Sequence, residues 1–200
     1  MNAVNSIETV LKPGKTRIHV EDPMADTKLA YDLVSRLKRF GINRDNPKVL
    51  LCIGTDRSTG DCLGPLVGSK IGSVQQDFFA VYGTLDKPVH ASNLKEKVEE
   101  IYNAYSNPFI IAVDASLGSL DSVGCINLGD GSLQPGAGVN KALPPVGQIH
   151  ITGIVNVGGF MEYLVLQNTR LNLVMRLADT IEKGLNNTIV EFAKQNAREM

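Results

Sequence analysis

The chain has 200 residues, of which 43% are hydrophobic and 20% charged, and its 20 Lys and Arg nearly balance its 21 Asp and Glu, for a net charge of -1. This composition is typical of a globular domain that can bury a core without metal or disulfide cross-links. The near-neutral charge, without a run of five like charges, argues against nucleic-acid and membrane-surface binding. We predict one domain over residues 1–200, with residues 1–25 partly irregular.

The cysteines and the N-terminal sequence indicate the cellular compartment. Cys52, Cys62 and Cys125 are odd in number and lack C-x-x-C spacing, which argues against a disulfide framework and a cysteine zinc site. Residues 1–25 contain no apolar run long enough for a signal peptide or a membrane span. We therefore expect a cytoplasmic protein, and neither a cofactor nor a bound metal is expected.

The first predicted elements are an amphipathic helix and a buried strand. Asp26 is suited to cap the helix, in which leucines recur at three- and four-residue spacing, and Gly41 is placed to end it. Residues 49–53 then form a continuous apolar run that ends at Gly54. Such a run is typical of a strand that is buried on both faces.

A second helix is predicted over residues 61–73. Three glycines recur in it at four-residue spacing and would allow close packing on the sheet: Gly64, Gly68 and Gly72. The apolar runs 78–82 and 109–113 predict two more buried strands, and between them Ser92 is suited to cap another amphipathic helix.

The C-terminal part continues the same alternation. A weaker strand is predicted over residues 124–128 and a firmer one over residues 148–155, followed from Gly159 onward by helix with a break near Gly184. Buried strands that alternate with helices predict an α/β protein, with a largely parallel sheet and helices on both faces.

Three segments follow predicted strands at the edge where α/β sheets bind ligands. They are the glycine-containing loop 54–65, the segment 114–118, and the stretch 129–147, which contains five glycines and three prolines. A loop as long as the third is usually functional or disordered. Together the segments predict a cleft at the carboxyl ends of the strands.

Asp61 and Asp114 are the candidate catalytic residues of this cleft. Near a helix N-terminus, Asp61 would be favoured as the anion, while Asp114, leaving an apolar strand, would be desolvated and protonated. One carboxyl group could then activate water while the other protonates a leaving group. The same pair could instead hold a metal ion.

Simpler roles for both aspartates remain open at this point. Asp61 could merely cap its helix, and Asp114 could bind backbone amides in the following turn. The loop 54–65 has neither a Walker A motif nor the G-x-G-x-x-G fingerprint. Ser58 and Cys62 lack a nearby base, and His150 alternates within an apolar strand as a core residue would.

Residues 52–68 read CIGTDRSTGDCLGPLVG, which resembles the signature of the YyaC family of sporulation proteins. The match continues through residues 112–115 and 134–138 and covers most of residues 16–200. This family is in turn similar to the germination protease of endospores and, more distantly, to hydrogenase maturation proteases. The resemblance implies their phosphorylase/hydrolase-like fold, a three-layer α/β/α sandwich.

The resemblance to the germination protease also implies that Asp61 and Asp114 are the catalytic pair. We expect substrate-binding residues in the same loops: Gly54, Thr55, Asp56, Gly60, Pro135, Gly136 and Gly138. Hydrogenase maturation proteases use a His to recognise nickel, but residues 115–147 contain no His, so no nickel site is expected.

The expected function is a sporulation-associated endopeptidase of the forespore or spore interior that acts on a peptide or protein substrate. The alternatives are a non-catalytic protein that binds a peptide or small anion, and a metal-dependent hydrolase. A homo-oligomer also remains open, because the apolar positions of the C-terminal helices could form a dimer face.

Overall fold

The computed structural model describes residues 14–135 and 143–196, which contain one six-stranded mixed sheet. The strands are β1 (Thr16–His19), β2 (Lys48–Cys52), β3 (Ala80–Tyr82), β4 (Phe109–Gly118), β5 (Cys125–Asp130) and β6 (Ile149–Val157), in the spatial order β1-β5-β6-β4-β2-β3. The central pairs β3-β2, β2-β4 and β4-β6 are parallel, whereas β5 and β1 are antiparallel to their neighbours. The predicted largely parallel sheet is thus confirmed.

Helices cover both faces of this sheet. They are α1 (Ala25–Arg39), α2 (Leu63–Gly72), α3 (Leu94–Ala104), α4 (Glu162–Gln167) and α5 (Leu171–Asn196), together with short 3₁₀ turns at Gly60–Cys62 and Leu120–Ser122. Apolar residues of α1, α2 and α5 share one core cluster with the sheet, and those of α3 belong to a second cluster. The predicted three-layer α/β/α arrangement is therefore confirmed.

The alternation of side chains along β4 assigns its residues to the two layers. Ile111 and Val113 belong to the cluster of α1, α2 and α5, while Ile110 and Ala112 belong to the cluster of α3. Since successive side chains of a strand point to opposite faces, Asp114 lies on the α3 face.

Two predicted helix starts are displaced by one or two residues. Asp26 does not cap α1, which begins at Ala25 and makes no side-chain cap hydrogen bond. Ser92 does not cap α3 either, because the residue before this helix is Asn93. Both helices begin where their apolar face first reaches the core, so packing determines their first residue.

The break predicted near Gly184 does not occur, and α5 runs without interruption from Leu171 to Asn196. A Cβ atom on Gly184 would lie 2.7 Å from Leu29 Cδ2 of α1. This glycine therefore serves the close approach of two helices and does not end one of them.

A buried arginine joins α1 to the antiparallel edge of the sheet. Arg36 is 1% exposed and pairs with Asp32 at 3.1 Å and with Asp130 of β5 at 2.6 Å. Its Nη2 atom also donates to the Gly14 carbonyl oxygen and to Thr16 Oγ1. These bonds hold β1, which was not predicted from the sequence.

Over the described ranges, no helix has the length and apolarity that crossing a membrane requires.

Candidate active site

A cleft of about 540 Å³ lies at the carboxyl ends of the parallel strands. It is bounded by the loop after β2, the turn before α3, the end of β4, the long loop after β5, one residue of β6, and α4. The lining residues are Ile53, Gly54, Thr55, Arg57, Ser58, Asp61, His90, Ala91, Ser92, Asp114, Ala115, Ser116, Leu117, Leu133, Gln134, Pro135, Leu143, Thr152, Glu162, Tyr163 and Leu166. Both candidate aspartates are therefore in one cleft.

Asp114 lies inside β4 and not beyond its end, because this strand continues to Gly118. The residue is only 8% exposed, and its Oδ1 atom accepts a hydrogen bond of 2.8 Å from the Ala115 amide. Its register partner on β6 is Thr152, which also lines the cleft. Leu133 and Leu143 of the long loop pack on the same face of the sheet and also line the cleft.

Asp61 is placed by the loop after β2, which folds back on itself. The Thr55 amide donates to the Asp61 carbonyl oxygen and the Asp61 amide donates to the Ser58 carbonyl oxygen, each at 3.0 Å. Gly54 has a φ of 140°, and a Cβ atom there would lie 2.0 Å from the Asp61 carbonyl oxygen. Only glycine fits this close approach, so Gly54 shapes the turn that places Asp61.

Asp61 does not cap a helix. It lies within the 3₁₀ turn Gly60–Cys62, and neither this turn nor α2 begins with a side-chain cap hydrogen bond. The capping alternative from the sequence is therefore wrong.

One short backbone contact connects the loop that carries Asp61 to β4, which carries Asp114. The Ile53 amide donates a hydrogen bond of 2.7 Å to the carbonyl oxygen of Val113, the residue before Asp114. The Gly54 amide in turn donates to the Val89 carbonyl oxygen at 2.8 Å. The positions of both aspartates thus depend on the paired central strands.

Burial raises the pKa of both carboxyl groups. Desolvation raises the pKa of Asp61 from 3.8 to about 6, although the backbone amide of Thr55 partly opposes this. Desolvation also raises the pKa of Asp114 well above its usual range, and the nearby charge of Asp61 raises it further. Asp61 is therefore the carboxyl group that ionises first, and Asp114 keeps its proton.

This result corrects one expectation about Asp61. We expected the positive end of the helix dipole to favour its anion, but its pKa is raised. The dipole effect at a helix start is commonly below about 1 kcal/mol, whereas burial of a carboxylate costs more. The predicted difference between the two residues remains, with Asp114 as the protonated partner.

The predicted substrate-binding residues are only partly brought together. Gly54, Thr55 and Pro135 line the cleft. Asp56 is exposed and does not line it, and Gly60 packs instead against the backbone of Leu166 in α4. The remaining two, Gly136 and Gly138, lie outside the described residues.

Several residues of the cleft were not predicted from the sequence, among them Arg57, His90, Thr152, Glu162 and Tyr163. Arg57 lies within the signature loop and could have been proposed from its position. The others come from segments that are far apart in sequence and carry no motif. Ser58, considered as a nucleophile without a base, has a buried hydroxyl group for which the described residues provide no hydrogen-bond partner.

The donor set gives little support to a metal centre. Within residues 14–135 and 143–196, no group of three or more His, Cys, Asp or Glu side chains is arranged to hold a metal ion. The cleft does contain the carboxyl pair, and Glu162 lies on its α4 wall. His150 does not line the cleft and contacts the Gly131 carbonyl oxygen at 3.0 Å.

Comparison with known proteins identifies the family. A family model described as "Protein of unknown function (DUF1256)" matches residues 17–184. The chain belongs to the DUF1256 family. This DUF1256 chain is 62% identical over 188 residues to YyaC of Bacillus subtilis strain 168, described as an uncharacterized protein, with 94% of this chain and 90% of that protein covered. The resemblance to YyaC is therefore confirmed.

One solved structure shows a weak similarity to the chain. It is the [NiFe] hydrogenase maturation protease HycI from Thermococcus kodakarensis KOD1, with a TM-score of 0.34 and 14% identity over 68% of this chain and 93% of that one. A similarity of this size supports no conclusion about activity. The function of this DUF1256 chain must therefore be argued from its own cleft.

Proposed function

We propose that the chain is a peptidase in which Asp61 and Asp114 activate a water molecule. The observation that carries the proposal is that two carboxyl groups line one cleft and interact, since the charge of Asp61 raises the pKa of Asp114. A pair of acids whose surroundings differ is the arrangement by which enzymes provide a base and an acid at the same pH.

The reaction follows from the protonation states. Ionised Asp61 takes a proton from water as the oxygen attacks the peptide carbonyl carbon, and Asp114 donates its proton to the carbonyl oxygen. When the tetrahedral intermediate collapses, Asp114 takes its proton back. The C–N bond breaks as the amine nitrogen receives the proton held by Asp61. Both carboxyl groups thus return to their starting states.

The surroundings of the pair support this chemistry. Leu117, Leu133 and Leu166 line the same cleft, and apolar walls limit the number of water molecules that compete with a substrate.

The Gly60 to Pro65 segment resembles the catalytic motif of the germination protease. On that resemblance we extend the proposal to a sporulation-associated endopeptidase, located in the forespore or the spore interior.

Substitution of each aspartate tests the proposal. We expect Asp61→Asn and Asp114→Asn each to lower cleavage of a proteome-derived peptide library by a factor of about 100 or more, because each removes one proton-transfer step. Mass spectrometry of the newly formed peptide ends measures the cleavage. Asp86→Asn, at an exposed aspartate away from the cleft, is the matched control and should cleave like the wild type.

Cleavage that persists in both cleft variants would contradict the proposal. Binding of peptides without any product in the wild type would instead favour the non-catalytic alternative. Stoichiometric divalent metal in the purified wild type that is lost in the Asp61 variant would favour the metal-dependent one.

A further inference from the structure

An apolar surface adjoins the cleft on the side of α4. It consists of six large side chains, each 36% to 87% exposed, which we name the rim surface: Leu120, Val157, Phe160, Met161, Tyr163 and Leu164. We propose that the rim surface binds an apolar segment of the polypeptide whose neighbouring residues occupy the cleft. This inference rests on the proposed peptidase function, and it assigns the class of substrate: chains with large apolar side chains beside the cleaved bond.

Residues of the rim surface follow the ends of β4 and β6, which lie side by side. Gly118 is the register partner of Val157, and the Gly158 amide donates a hydrogen bond of 2.8 Å to the Gly118 carbonyl oxygen. Leu120 follows the end of β4 by two residues, and Phe160 follows the end of β6 by three. The two most exposed members, at 77% and 87%, thus project from adjacent strand ends.

The backbone holds these side chains in the solvent. Gly159 and Met161 both have positive φ values, 140° and 56°, and this is an uncommon conformation for a methionine. Asn156 Nδ2 donates to the Val165 carbonyl oxygen, and Gly60 packs against the Leu166 backbone, so α4 is attached on its inner side. None of the six residues of α4 is buried.

The six side chains of the rim surface are uncharged, and the charged residues next to them in sequence are Asp121 and Glu162. The one charged residue of α4, Glu162, lines the cleft and accepts a hydrogen bond of 3.3 Å from the Gly159 amide. A group of several large exposed apolar residues is uncommon on a monomer surface and usually marks a binding site. The chemistry of this surface fits an apolar partner.

The occupant follows from the continuity of the rim surface with the cleft. Tyr163 belongs to both, and Leu117 and Leu166 extend the apolar lining inward. A cleft of about 540 Å³ has the size of a small-molecule site. An extended chain advances about 3.3 Å per residue, so a polypeptide held there must leave across the rim after a few residues. On the α4 side it meets the six apolar side chains.

Binding by rim variants tests this inference. The probe is fluorescently labelled α-lactalbumin, reduced and carboxymethylated so that it stays unfolded and exposes its apolar segments. Affinity is measured by fluorescence anisotropy in the Asp114→Asn background, where a bound chain is not cut. Phe160→Ser and Leu120→Ser should each weaken binding about fivefold or more. The controls Tyr102→Ser and Val190→Ser change exposed apolar residues of α3 and α5 and should bind like the parent.

Folded native α-lactalbumin should bind more weakly than the unfolded form, because its apolar residues are buried. Equal affinities of the rim variants and the controls, or no binding of the unfolded probe, would overturn the inference. So would a dimer in sedimentation equilibrium that dissociates in Phe160→Ser, since the occupant would then be a second copy of this chain.

These outcomes are distinguishable from failure of the peptidase proposal. A wild-type protein that cleaves peptides while Phe160→Ser binds normally keeps the peptidase and rejects the rim surface. A protein that cleaves nothing but loses binding in the rim variants rejects the peptidase and keeps an apolar chain-binding surface.

Discussion

At the scale of single residues, Asp61 and Asp114 differ in burial although they line the same cleft. Asp114 is buried within β4, whereas Asp61 lies in a turn that leaves it partly exposed. The more exposed residue loses its proton first, and its charge then disfavours ionisation of the other. The protein thereby maintains one base and one acid over a range of pH.

The pH dependence of cleavage should reflect these two groups. We expect kcat/KM to rise with pH through about 6 as Asp61 ionises, and to fall at a higher pH at which Asp114 loses its proton. Initial rates on one peptide substrate between pH 4 and 9 measure the profile. Asp86→Asn should give the same curve. A rising limb centred near pH 4, the usual range of a carboxyl group, would show that burial does not tune Asp61.

The sequence identified this pair but not its surroundings. Asp61 and Asp114 could be predicted because each belongs to a segment that follows or ends an apolar run. His90, Thr152 and Tyr163 could not, since their segments meet only after the sheet has formed. The weak acidity of Asp61 was also missed, because it depends on burial, which no local pattern reveals.

At the scale of elements, α2 lies against the sheet with almost no space between the backbones. A Cβ atom on Gly64 would lie 2.0 Å from the Ile53 carbonyl oxygen, and one on Gly68 would lie 2.1 Å from the Gly83 carbonyl oxygen. The predicted close packing at these two glycines is confirmed. Gly72 differs, because the nearest atom to a Cβ atom there is 3.9 Å away.

Alanine substitution should affect stability differently at Gly64 and Gly72. We expect Gly64→Ala to lower the free energy of unfolding by about 2 to 4 kcal/mol, because the new methyl group meets backbone that cannot move aside cheaply. Gly72→Ala should leave it unchanged or raise it by up to about 1 kcal/mol, since alanine favours helix. Urea denaturation followed by circular dichroism measures both. Equal effects of the two substitutions would contradict the packing found for α2.

The strand that the sequence did not predict, β1, has few buried residues. β1 has the burial of an edge strand, with Ile18 its only fully buried residue, so its sequence shows no apolar run. α4, which has no buried residue, lies within the helix predicted from Gly159 onward, but the sequence did not predict that residues 168–170 separate it from α5. β2 and β4, by contrast, lie in the centre of the sheet, where burial on both faces gives continuous apolar runs.

At the scale of the whole molecule, the buried carboxyl groups of the cleft affect global stability. The folded state raises the pKa of Asp61 above its unfolded value, so the unfolded chain releases this proton at a lower pH. The contribution of Asp61 to the free energy of unfolding is then fully present below about pH 4, and it is lost as the pH rises through about 6. At about 1.36 kcal/mol for each pH unit, a rise from 3.8 to about 6 corresponds to roughly 3 kcal/mol.

Comparison with the Asp61→Asn variant should measure this pH-dependent loss of stability directly. Between pH 4 and pH 7, the free energy of unfolding of the wild type should fall relative to that of the variant by an amount on the order of 3 kcal/mol, because asparagine cannot ionise. Urea denaturation at both pH values measures the difference. The exposed control Asp86→Asn should follow the wild type, and parallel curves for the wild type and Asp61→Asn would contradict the buried state of Asp61.

The hydrogen bond from the Ile53 amide to the Val113 carbonyl oxygen has a consequence for how selectivity can diversify. This bond links the residue after β2, at the start of the loop that carries Asp61, to the residue before Asp114 in β4. β2 and β4 are adjacent parallel strands, and backbone hydrogen bonds hold such strands about 4.8 Å apart. The long loop and α4 contribute walls but none of this framework. If the proposed function holds, insertions, deletions or exchanges in those two segments would change which chains are admitted and leave the proposed catalytic pair in register.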